Sequence, residues 1–155
     1  MSLDNVLSDL QTKIGQEIHV SDWVDVTQEV IDDFAKATRD EQWIHVDPER
    51  AATESPYGRT IAHGFFTLSI YPYLRGLTDV ETPVFPGAKN VINYGLNKLR
   101  FPNAVTVGSK IRARCSVVSA KNVKNSLELV ENYTIEIDGQ EKPACVAECV
   151  VRIYF

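Results

Sequence analysis

The chain moves between two hydrophobic periods. Leu3, Val6, Leu7 and Leu10 recur three and four residues apart, which predicts a short lid helix over residues 2–12 with Ser2 or Asp4 as its cap. Gly15 ends that pattern. From Ile18 to Val26 the period drops to two, with Ile18, Val20, Val24 and Val26 on one side and Asp22 as the exception, so a first strand is expected there. Thr27 is a natural N-cap for a helix running from Gln28 to about Thr38, with Val30, Ile31, Phe34 and Ala37 as its apolar stripe. Asp47-Pro48-Glu49 then supplies a capping acid, a proline at the first helical position and an acidic first turn, the marks of another short helix. Residues 40–46 are left as a constrained linker between two helices.

Residues 64–74 are apolar nearly all round, as expected for a helix buried on most faces, although Pro72 predicts a kink or an early stop. A loop containing Pro83, Pro86 and Gly87 follows, and the remainder reads as sheet. Val91–Phe101 is one candidate strand. Residues 111–117 alternate apolar odd positions with polar even ones, Leu127 to Ile137 repeat the pattern, and Asp138-Gly139 makes a tight turn. Cys145, Ala147, Cys149, Val151 and Ile153 close the chain in phase. One buried helix followed by a long meander predicts an α+β fold. In it an antiparallel sheet of at least four strands wraps a central helix, with the first strand donated from the N-terminal side, the hotdog arrangement.

Composition narrows the function classes more than the fold. With 155 residues, 44% apolar and 24% charged, and neither a repeat nor a low-complexity tract, residues 1–155 read as one globular domain. The net charge of −5 disfavours a nucleic-acid or anionic-membrane partner, which needs clustered Lys and Arg. No stretch has the pattern of a signal peptide or approaches a membrane span in length, so a cytoplasmic location is expected. Three cysteines cannot all pair within one chain, and Cys145 and Cys149, four residues apart on one strand, would sit about 13 Å apart. They read as reduced core residues, without support for a zinc site or a redox motif.

The candidate chemistry lies in the linker. Asp40-Glu41-Gln42-Trp43-Ile44-His45, answered downstream by Ala62-His63-Gly64, resembles the hydratase motif of the MaoC-like dehydratases, the (R)-specific enoyl-CoA hydratases. It is also similar to the nodulation protein N branch of that family and to a mycobacterial 3-hydroxyacyl-thioester dehydratase. The commonest family form is Gly-Asp-x-Asn-Pro-x-His, and this chain carries Arg39, Gln42 and Trp43 in place of the Gly, Asn and Pro. The order of elements fits the family from about Ile18 onward.

Hydrating an enoyl thioester requires deprotonating water, protonating the α-carbon and stabilising an enolate-like oxyanion. The resemblance implies Asp40 and His45 as a joint acid/base pair and the Gly64 backbone N–H as the oxyanion donor. It implies no metal or redox cofactor, with coenzyme A or acyl carrier protein as the substrate's carrier, and a homodimer. Gln42 is a candidate to orient Asp40 or His45, with a solvated loop amide as the alternative. His63 either faces the site or caps the buried helix or meets a backbone carbonyl. Trp43 reads as packing or a wall of the acyl tunnel, and Asp47 as the N-cap ahead of Pro48. Lys98, Arg100, Arg112 and Arg114 are candidates for carrier phosphates, and each also reads as a solvated strand residue. A hotdog thioesterase and a non-catalytic acyl-thioester or lipid-binding module remain as alternative functions.

Overall fold

The computed structural model describes residues 1–155. Ser2, rather than Asp4, caps α1 (Leu3–Thr12), accepting the Asn5 N–H, and Val6 and Leu10 are the helix's buried residues. The expected first strand is broken into β1 (Glu17–Val20) and β2 (Val24–Asp25). At the break Ser21 N–H donates to the Ala113 carbonyl at 2.9 Å, while Ser21 Oγ accepts the Ala113 N–H at 2.9 Å. A side-chain oxygen thus replaces the main-chain acceptor, and the backbone leaves the sheet over Ser21–Trp23 without orphaning Ala113.

Thr27 caps α2 (Gln28–Thr38) by accepting the Val30 N–H. Its buried residues are the i, i+4 pair Ile31 and Ala35, with Phe34 half-buried; Val30 and Ala37, expected in the stripe, face outward. The expected linker contains a one-turn helix, α3 (Trp43–Val46), and Asp47 Oδ1 then accepts the Arg50 N–H at 3.0 Å to start α4 (Pro48–Glu54). The apolar run at 64–74 splits into α5 (Gly64–Ser69) and α6 (Tyr71–Leu74), because Pro72 has no N–H to continue the ladder. It is less enclosed than its composition predicts: Phe66, Thr67, Tyr71 and Leu74 are buried, whereas Phe65 and Tyr73 are each 62% exposed.

The sheet has six strands. β3 (Asn90–Arg100), β4 (Lys110–Val123), β5 (Ser126–Ile137) and β6 (Cys145–Tyr154) join β1 in the order β1-β4-β5-β6-β3, with β2 also on β4 and every pairing antiparallel. The alternation in β4 holds from Ile111 to Val117, all of whose odd positions are buried. A bulge between Val117 and Ser119 then changes the phase, so that Ala120 is the next buried residue. The core lies where α1, α5 and α6 meet β4, β5 and β6. Tyr133 OH donates to the Thr67 carbonyl at 2.8 Å and its ring meets Tyr71 edge-on, fastening the helix pair to the sheet.

One charged cluster interrupts the apolar core. Glu131, fully buried on β5, accepts a bidentate pair from Arg75 (2.9–3.1 Å) and the Tyr71 hydroxyl at 2.6 Å. The cysteines are unpaired and buried, and burial pushes the Cys145 thiol up to about 11 and Cys149 up to about 12, so both stay protonated at neutral pH. No helix is long and apolar enough to cross a membrane.

Removing the carboxylate at Glu131 would leave Arg75 as an uncompensated buried charge. Glu131→Ala is expected to lower stability in urea denaturation by about 3–5 kcal/mol, whereas loss of the half-exposed Arg50–Glu54 pair through Glu54→Gln is expected to cost under about 1 kcal/mol.

Candidate active site

The site is assembled from a loop, a one-turn helix and the first residues of α5. After Thr38 the chain turns at Arg39, whose φ of 62° lies in the left-handed region, a conformation that favours the glycine of the commonest family form. That turn delivers Asp40, half-buried, whose Oδ1 accepts the Gln42 side-chain N–H at 2.8 Å. Gln42 therefore meets the carboxylate directly despite its extra methylene.

α3 presents His45, which is 8% exposed. Its Nδ1 lies 2.7 Å from the Ile61 carbonyl, an acceptor only, so Nδ1 carries the proton and Nε2 holds the free lone pair in the neutral ring. The His45 carbonyl accepts the Gln28 side-chain N–H at 2.7 Å, and Gln28 Oε1 accepts the Thr60 hydroxyl at 2.5 Å. Gln28 thus braces the site from the start of α2. Sequence reasoning missed it, because a glutamine in a capped first turn carries the signature of a solvated residue.

His63 is buried, and its Nε2 donates to the Asp40 carbonyl at 2.8 Å. It precedes α5 but makes no side-chain cap; it both meets a backbone carbonyl and faces the site, lining the cavity beside Gly64. Its ring also stacks on His45, with centroids 3.7 Å apart and planes 26° apart, and lies 5.0 Å from the Phe34 ring. Gly64 opens α5, and its N–H has no acceptor within the protein. A cavity of about 280 Å³ beside it is lined by His45, His63, Gly64, Thr67, Phe101 and Val105, among others. A Cβ at Gly64 would lie 2.8 Å from the Phe101 ring, so the missing side chain makes room for Phe101 next to the free N–H.

The remaining candidates sit apart from this cluster. Trp43 is half-buried with the Arg50 guanidinium 4.4 Å over its ring, and it is not among the residues lining the cavity beside Gly64. Arg112 and Arg114 share Glu136, Arg114 also meets Glu17, and Lys98 pairs with Glu148. Arg100 donates to the Leu99 carbonyl.

The electrostatics sort the protons. The hydrogen bond from Gln42 holds the Asp40 carboxyl below the usual carboxylate range, with the two imidazoles adding to the effect against partial burial. Burial lowers the His45 pKa; the bond to Ile61 and the Asp40 charge oppose this, and His63 reinforces it. Near neutral pH the site therefore offers an ionised Asp40 and a neutral His45. One side-chain atom each from Asp40, His45 and His63 lies within 4.8 Å of the others.

The MaoC like domain profile matches residues 9–139. The chain belongs to this family. Over 147 residues the MaoC-like chain is 48% identical to the 3-hydroxyacyl-thioester dehydratase Z of Mycobacterium tuberculosis, a match covering 94% of each. Over 151 residues it is 43% identical to the nodulation protein N of Rhizobium leguminosarum bv. viciae, covering 96% of this chain and 91% of that one. Its fold matches an unliganded R-hydratase from Pseudomonas aeruginosa with a TM-score of 0.70 at 21% identity, over 92% of this chain and 82% of that one. The hotdog architecture expected from the strand pattern is thus the MaoC-like one.

Two titrations follow from the hydrogen bonds. His45 is expected to titrate below its ordinary 6.5 in NMR of the folded protein, so this group's contribution to stability is lost as pH falls through that range. Gln42→Ala is expected to raise the Asp40 pKa toward its ordinary 3.8, read by carboxyl chemical shift, because the bond from Gln42 is the largest cause of its depression.

Proposed function

We propose that the protein is a hydro-lyase that reversibly hydrates a trans-2-enoyl thioester to the (R)-3-hydroxyacyl thioester, with Asp40 and His45 as the acid/base pair. One observation carries this reading. An oxygen of the ionised Asp40 carboxylate and a ring nitrogen of the neutral His45 imidazole lie within 4.8 Å of each other, close enough to share one water, beside an unengaged backbone N–H. The thioester carbonyl would accept the Gly64 N–H, which opposes the charge that builds on that oxygen. Asp40 and His45 would hold one water, remove its proton as its oxygen bonds to C3, and return a proton to C2. Dehydration is the same path reversed.

The 48% identity to a 3-hydroxyacyl-thioester dehydratase over nearly the whole chain supports this assignment. In this reading residues 1–155 form one MaoC-like hotdog domain that works in the cytoplasm, without a metal or redox cofactor. Coenzyme A or acyl carrier protein serves as the substrate's carrier. A homodimer fits the exposure of β3, an edge strand paired only with β6, which presents Ile92, Tyr94 and Leu96 to solvent.

The test is hydration of crotonyl-CoA, followed by loss of the enoyl chromophore. The wild type is expected to be active, and Asp40→Asn and His45→Ala are each expected to lose about 10²–10⁴-fold in kcat while remaining folded. Inactivity of the wild type with short, medium and long enoyl-CoA would refute the assignment. Release of free coenzyme A thiol together with crotonate, in place of 3-hydroxybutyryl-CoA, would make the protein a thioesterase instead. Gly64→Ala, which forces the Phe101 ring to move beside the proposed oxyanion donor, is expected to lower kcat at least tenfold.

A further inference from the structure

The acid/base reading leaves one polar group of the site unused. His63 is 3% exposed, and its Nδ1 is sealed from solvent with no hydrogen-bond partner. Burying a polar atom without a partner is costly, so an apolar ring would be the cheaper occupant unless the other nitrogen has a task. Nε2 has one: it donates to the main-chain carbonyl of Asp40 at 2.8 Å. The same ring lies flat against His45 at 3.7 Å, with Phe34 nearby at 5.0 Å, and the next residue is Gly64.

We propose that His63 is a positioning residue: its Nε2–H fixes the main chain of Asp40 and its ring fixes the plane of the His45 imidazole, so that both reach one water. This rests on the hydro-lyase assignment. Because Nε2 meets an acceptor, His63 holds its proton there and leaves Nδ1 bare. The titratable groups facing His45 are Asp40 and His63; the first favours its protonated form and the second opposes it.

Two substitutions separate the ring from the donor. His63→Phe keeps a ring against His45 and deletes the bond to Asp40, whereas His63→Gln deletes the ring and retains an N–H able to reach that carbonyl. For crotonyl-CoA hydration His63→Phe is expected to lose roughly 10–100-fold in kcat with KM within about threefold, the pattern of misplaced reacting groups. His63→Gln is expected to recover part of that loss. In His63→Gln the acid limb of the pH profile and the NMR titration of His45 are expected to move to higher pH, since removing the stacked ring relieves the burial that lowers the His45 pKa. A kcat within twofold of wild type in folded His63→Phe would overturn the proposal. So would an unmoved His45 titration in His63→Gln, a measurement that stands if the Phe variant fails to fold. The His45 titration needs no substrate, so failure of the positioning role is distinguishable from failure of the hydro-lyase assignment.

Discussion

Two imidazole-to-carbonyl bonds, exchanged in opposite directions, hold the site together. His45, on the 40–46 segment, donates to Ile61, and His63, on the 60–64 segment, donates back to Asp40. Each segment thus satisfies a main-chain carbonyl of the other, and the Ile61 N–H adds a bond to the Ile44 carbonyl. The second segment is itself anchored, because Ala62 N–H donates to Val105 and Val107 N–H donates to Thr60. Gln28 closes the arrangement from α2 by bonding the His45 carbonyl and accepting from Thr60. Asp40 and His45 therefore sit on short irregular backbone, yet their positions are fixed at several points, as a reaction that shares one water requires.

The rest of the fold holds the α5 end of the site steady. Tyr133 ties Thr67 to the sheet, and the buried Arg75–Glu131–Tyr71 cluster locks the far end of the helix pair to β5. A buried ion pair adds little net stability but penalises any arrangement that separates its partners, so it sets the register of the helices against the sheet. Phe101 then meets the surface that Gly64 leaves open, placing one wall of the cavity beside the free N–H.

Much of this was legible in the chain, and the departures have local causes. Alternation marked β4, β5 and β6 correctly because each has positions packed into the core, and Thr27 and Asp47 announced their helices. The first strand was over-extended because Ser21 supplies an acceptor that periodicity does not register. The enclosure of residues 64–74 was overestimated because Phe65 and Tyr73 are apolar yet exposed. Within the site, the resemblance to the hydratase motif pointed to Asp40, His45 and Gly64, which the fold brings together. The bond from Gln42 to Asp40, the stacking of His45 on His63 and the brace from Gln28 depend on backbone paths that no local pattern encodes. Arg39 shows the reverse: its left-handed turn gives a physical reason for the glycine that the family form prefers there.

The central claim is that Asp40 and His45 act on a single water held on one face of the substrate. Both the hydroxyl added at C3 and the proton added at C2 should then arrive from that face. Hydration of crotonyl-CoA in D2O, with the deuterium at C2 and the configuration at C3 assigned by NMR and chiral analysis, tests this directly. The account predicts a single (3R) diastereomer formed by syn addition. Anti addition, or a mixture of C2 epimers at early conversion, would contradict it.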